Sequence, residues 1–96
     1  MESVFEINDK SGRRIRLSNE RWAHINQEHP EVAPYLEDIK DTLTNPTRIV
    51  PNEDDDNVNY YYKNFKERQL QYLLVIVKYL NNHGFIITAY FVRNLK

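Results

Sequence analysis

The chain has 96 residues and a mass of 11.6 kDa, enough for one sizeable core, whereas two cores would each be too small to hold together. It is 41 % apolar and 28 % charged, with net charge −1 and no cysteine; this excludes wholesale disorder, disulfides, cysteine nucleophiles and thiolate metal sites. The longest apolar run, Leu73 to Val77, is far short of the ~20 residues of a membrane span, and Met1 to Glu6 lacks a signal peptide's basic and apolar regions, so no membrane association and a cytoplasmic location are expected.

Residues 3–7 alternate as a strand, 8–12 form a turn cluster, and 14–17 alternate again, which predicts an N-terminal hairpin. Ser18 offers an N-cap and Glu20 complements the helix dipole. A helix over 19–29 follows, stopped by Pro30, with Trp22, Ile25 and His29 on one face. Val32, Leu36, Ile39 and Leu43 give a second helical period over 31–44, closed by Asn45-Pro46. Strands are predicted at 48–50, 58–65, 70–80 and 85–92, with turns at 66–69 and 81–84. Helices followed by a run of strands predict a single α+β domain over 1–96: an N-terminal hairpin and two helices packed on one face of a four-stranded antiparallel sheet.

In the closing strand, strict alternation puts Phe85, Ile87, Ala89 and Phe91 against the helices and Ile86, Thr88, Tyr90 and Val92 on the open face. An even-length 81–84 loop would place Val75 and Val77 beside Thr88 and Tyr90. Two hydroxyls on an open sheet face suit a phosphate or a ribose, although both residue types also simply fit strands.

Charge is unevenly spread. Residues 57–96 carry six basic side chains against one acidic, and the acidity gathers in Glu53 to Asp56. A basic, tyrosine-rich half suits a polyanion. No glycine-rich phosphate loop exists, because Gly12 and Gly84 are the only glycines and both lie in turns. His24 and His29 are five apart, about 140° around a helix, which is wrong for the zinc-helix spacing. The 54–56 aspartates lack the spacing and glycine of a calcium loop. No metal and no cofactor are expected. What remains is acid–base chemistry, with two histidines in one helical segment. His29 is either an acid–base group facing a cleft or a helix C-terminal cap. His24 is either its companion or a solvated residue.

Glu20-Arg21-Trp22-x-His24-Ile25, His29-Pro30-Glu31, Asn45-Pro46 and Ile87-Thr88-Ala89-Tyr90 together resemble the small ribonuclease-like domains grouped as Barnase–EndoU–colicin–RelE, in their phage- and toxin-associated form. The resemblance covers about residues 14–92. It implies a metal-independent endoribonuclease with RNA as substrate, and a cognate antitoxin or immunity protein as partner. Carried onto matching positions, it implies His24, His29, Thr88 and Tyr90 as catalytic residues. Arg16, Lys63 and Arg93 are the candidates for the basic, substrate-binding role. The acidic loop and low pI depart from active toxins of this type. The alternative is therefore an inactive RNA- or protein-binding module, such as one component of a toxin–antitoxin pair. Salt dependence separates these readings, because RNA binding weakens steeply with added salt.

Overall fold

The computed structural model describes residues 3–65 and 71–95. β1 (Ser3–Asn8) and β2 (Arg14–Ser18) pair antiparallel across the expected turn, where Gly12 takes φ +87°, a region open to glycine. The Ser18 hydroxyl accepts the Arg21 N–H at 3.1 Å and starts α1 (Asn19–Glu28). His29 closes it, its N–H donating to the Ile25 carbonyl at 2.7 Å.

The helical period at 31–44 divides in two. Pro30–Tyr35 is a 3-10 turn, and only Leu36–Thr44 is α-helical, as α2. Pro34 lies inside the turn; it has no N–H to donate and resists continuation of the α ladder. Then come β3 (Arg48–Pro51), β4 (Val58–Phe65), β5 (Gln71–Leu80) and β6 (His83–Val92). The turn predicted at 66–69 lies outside the described residues.

The α+β class holds, but the sheet differs from expectation. It has six strands in the order β1-β2-β6-β5-β4-β3 and is mixed, because β2 and β6 run parallel. The hairpin does not stand beside a four-stranded sheet; it joins that sheet through β2. The physical reason is burial. An isolated hairpin is marginal in water, whereas docking on β6 leaves Ile15 and Leu17 fully buried. Ile25, Val32, Ile39 and Leu43 supply the helix side of the core, with Trp22 and Leu36 packed partly buried against it. They meet Tyr61, Leu73, Val75, Val77, Ile86 and Ala89 from the sheet.

The face assignment of β6 needs a correction. The β5–β6 turn is the two residues Asn81-Asn82, with Leu80 opposite His83 and Asn81 at φ +61°. Further along, Val77 pairs with Ile86 but Ile76 pairs with Thr88. Ile87 is therefore the extra residue of a β-bulge, and alternation restarts after it. Before the bulge, Ile86 faces the core at 1 % exposure while Phe85 lies on the open face at 36 %. After it, Ala89 is buried and Phe91 packs against the core. Thr88 and Tyr90 thus keep the face away from the helices, but their companions on β5 are Ile76 and Leu74, and Leu74 and its neighbour Tyr62 are themselves buried there, at 4 % and 1 % exposure. Val75 and Val77 are core residues.

Gly84 sits where β2, β5 and β6 converge. A Cβ there would lie 2.9 Å from the Lys78 carbonyl oxygen and 3.0 Å from the Ile15 side chain. Gly84→Ala is expected to cost about 1–3 kcal/mol, read as a lower midpoint in urea denaturation.

Candidate functional site

The sheet face away from the core cluster is organised in cross-strand rows. Arg48, Tyr62, Leu74 and Tyr90 form one row, with Tyr60, Ile76 and Thr88 beside it. Lys78, Phe85 and Arg16 form a third. β2 pairs with β6 only as far as Arg16 opposite Phe85. α1 also packs against β6.

His29, at the C-terminal end of α1, reaches β6. Its ring stacks on Tyr90 with centroids 4.7 Å apart and planes 18° apart. The two readings of His29 now separate by atom. The backbone does the capping, donating to Ile25 and accepting the Val32 N–H at 3.1 Å. The imidazole makes no cap hydrogen bond. Instead its Nδ1 stands 3.8 Å from Glu31 Oε2, and the side chain stays 31 % exposed. Two residues before Tyr90 on the same face, the Thr88 hydroxyl oxygen is buried without a protein hydrogen-bond partner. A buried hydroxyl without a partner costs about 1–3 kcal/mol, so such a group calls for an explanation.

The other sequence candidates fall elsewhere. His24 is 57 % exposed, turned to Glu28 at 3.6 Å, and shares a shallow depression with Glu20 and Arg21. Arg16 lines a cleft of about 300 Å³ where β2, β6 and the start of α1 meet, together with Glu20, Arg21, His83 and Phe85. Lys63 is on the helix side of β4, where it pairs with Asp41 at 3.2 Å and donates to the Asn45 carbonyl at 2.7 Å. Arg93 is exposed just past the end of β6. The acidic loop is tied to the sheet by a 3.1 Å ion pair between Asp55 and Lys78. The Asn57 N–H and that lysine hold the Asp55 carboxyl below its ordinary pKa.

Sequence reasoning missed three features. Glu31 was visible as the neighbour of His29 across Pro30, but its orientation depends on the 3-10 turn. Phe85 was hidden by the bulge. The third is a buried polar cluster on the helix side, centred on Asp9, which is 5 % exposed. Asp9 Oδ1 accepts the Ser11 N–H at 2.9 Å, the Ser11 hydroxyl at 2.6 Å and the Arg13 N–H at 3.1 Å. The Tyr61 hydroxyl reaches Oδ2 at 2.9 Å, the Tyr79 hydroxyl reaches it too, and the two phenols are 2.5 Å apart. The Arg13 guanidinium covers the Tyr79 ring, 3.5 Å from its centroid. Burial pushes the Asp9 pKa up, but the hydrogen bonds it accepts outweigh burial and hold it below the usual carboxylate range. Burial raises Tyr61 to about 12 and Tyr79 further, with Asp9 adding to both. This cluster staples the β1–β2 turn to the sheet centre, on the face opposite Thr88 and Tyr90.

Among the described residues, no three His, Asp or Glu side chains group as a metal site, and no helix is long and apolar enough to cross a membrane. A model of the family described as phage-Barnase-EndoU-ColicinE5/D-RelE like nuclease2 matches residues 2–96. That is nearly the whole chain, and the chain belongs to this family of nuclease-like domains. The superfamily read from the motifs at 20–31 and 87–90 is the one found. No curated protein and no solved structure matches the chain.

Proposed function

We propose that this member of the nuclease-like family is a metal-independent endoribonuclease that cleaves RNA where the end of α1 meets β6. The observation that carries the reading is the His29–Tyr90 stack beside the unpartnered Thr88 hydroxyl. It sets an imidazole, a phenol and a buried hydroxyl along one stretch of one face.

In this reading His29 Nε2 removes the ribose 2′ proton, with Glu31 orienting the ring from the Nδ1 side. The freed oxygen attacks the adjacent phosphorus, and the bond to the 5′ oxygen breaks. The Tyr90 O–H protonates that leaving oxygen. Thr88 donates to a phosphoryl oxygen, where fixed donors count most as charge develops. Arg16 holds the phosphate chain in the cleft at the start of α1. His24 and Arg93 act as outer polar contacts. Lys63, engaged by Asp41 and Asn45, has a structural part in this scheme.

The test is incubation of purified protein with total RNA in excess chelator, followed by mapping of the ends. Internal attack leaves 2′,3′-cyclic phosphate and 5′-hydroxyl ends. Fragments with 5′-phosphates, or cleavage abolished by chelator, would overturn the mechanism. Retained RNA binding with no cleavage by wild-type protein would return the binding-module reading.

Thr88→Val tests the sheet side of the site separately. It removes the hydroxyl with little change of bulk, so cleavage should fall on the order of 10²-fold. Stability should be unchanged or should rise by up to ~1 kcal/mol, because the lost hydroxyl had no protein partner. Paired cleavage assays and thermal melts read both effects.

A further inference from the structure

The cleft where β2, β6 and the start of α1 meet is built differently from the His29–Tyr90 site. Phe85 is a large apolar side chain 36 % exposed on the sheet surface. It lines the 300 Å³ cleft with Arg16 from β2, Arg21 and Glu20 from the first turns of α1, and His83 from the start of β6. An exposed aromatic face flanked by two guanidinium-bearing residues has the two elements that single-stranded nucleic acid needs. The ring offers a stacking surface for a base, and the cations track the backbone. Glu20 is the one acidic group on the wall. It sits in the first turn of α1, where the positive end of the helix dipole offsets its charge.

The spacing supports a continuous path. Phe85 and Tyr90 lie opposite Lys78 and Leu74, four residues apart on β5, which is about 13 Å of strand. The bulge at Ile87 keeps both aromatic side chains on the same face. A few nucleotides of single strand cover that distance.

We propose that Phe85, Arg16, Arg21 and His83 form a nucleotide subsite, remote from the reacting phosphate, in which a base of single-stranded RNA stacks on Phe85 and its flanking phosphate is held by Arg16 and Arg21. The subsite sets where the strand lies on the protein, and it rests on the reading that RNA occupies this face. It does not depend on cleavage. A short stretch on one side of the scissile bond is then engaged more tightly than the bond itself requires.

The test is fluorescence anisotropy with a labelled octamer of single-stranded RNA and with its all-deoxy counterpart, which has no 2′-hydroxyl to attack. Phe85→Ala should weaken binding of both probes about 10–100-fold, and Phe85→Trp should restore it. Arg21→Gln should lower the slope of log Kd against log salt by about 0.7, the loss of one phosphate contact. Ile49→Ser, exposed on β3 at the opposite edge of the sheet, serves as a control that leaves affinity unchanged. Thermal melts check that each variant is folded. Unchanged affinity in folded Phe85→Ala and Arg21→Gln would overturn the subsite, as would wild-type protein that binds neither probe. Cleavage by wild type together with unchanged Phe85→Ala binding would leave the nuclease reading standing and the subsite refuted. Binding that needs Phe85 in a protein that cleaves no RNA would do the reverse.

Discussion

On the proposed mechanism, replacing His29 with alanine is expected to lower RNA cleavage by ~10²–10⁴-fold while the protein stays folded, because the change removes the group assigned to move the 2′ proton. The structural cost is bounded. The capping bonds at His29 run through its N–H and carbonyl, which alanine keeps. What alanine loses is the stack on Tyr90, an aromatic pair worth about 0.5–1.5 kcal/mol, and any benefit of imidazole charge at the helix end, at most ~1–2 kcal/mol. Rates per mole of folded protein, set beside urea midpoints, therefore separate catalysis from capping. A purely structural His29 would show a shifted midpoint and an unchanged rate. Glu31→Gln should show a smaller loss in the same assay, since in that mechanism Glu31 orients the ring and is not assigned to the scissile phosphate.

What was legible in the sequence follows from which features are local. The Ser18 cap, the Pro30 stop and the apolar period of α1 and α2 are short-range signals, and they placed His29 at a helix end facing the sheet. The order of helices and strands was enough for the α+β class. Sheet composition was not, because the β2–β6 contact joins residues 14–16 to 83–85, and no local pattern announces a parallel pairing across that separation. The bulge was equally silent. Phe85, Ile86 and Ile87 are all apolar, so the pattern of polarity carries no sign that the alternation breaks there. Thr88 and Tyr90 were nevertheless assigned to the correct face. The two-residue turn and the single bulge each displace the register assumed from a four-residue turn, and the face of Thr88 survives. The face of Phe85 does not, which is why the cleft it lines emerged only with the strand register.

Asp9 carries the second large expectation, on stability. Asp9→Ala removes the acceptor for the Ser11 and Arg13 N–H groups and for the Tyr61 and Tyr79 hydroxyls. The phenols keep each other, but only one can donate in that bond, so a buried donor is left without a partner. A loss of roughly 2–4 kcal/mol is expected, and for a domain of this size that lowers Tm by about 10–25 °C. Asp9→Asn keeps one acceptor oxygen and should fall between that variant and wild type. The pH dependence has a definite sign at each end. The folded-state pKa of Asp9 is depressed, so its contribution is fully present above the unfolded value of about 4. It is lost as pH falls through the lower folded value. The advantage of wild type over Asp9→Asn should therefore shrink in acid. At the alkaline end Tyr61, raised to about 12, and Tyr79, raised further, stay neutral in the folded protein while the unfolded chain ionises near pH 10. Wild-type stability should then fall as pH rises above 10, and a Tyr61→Phe, Tyr79→Phe double variant should lose that dependence. Urea midpoints measured across pH 2–5 and 9–12 test both arms. A wild-type midpoint no more acid-sensitive than that of Asp9→Asn would mean that the carboxylate is not what fastens the β1–β2 turn to the sheet.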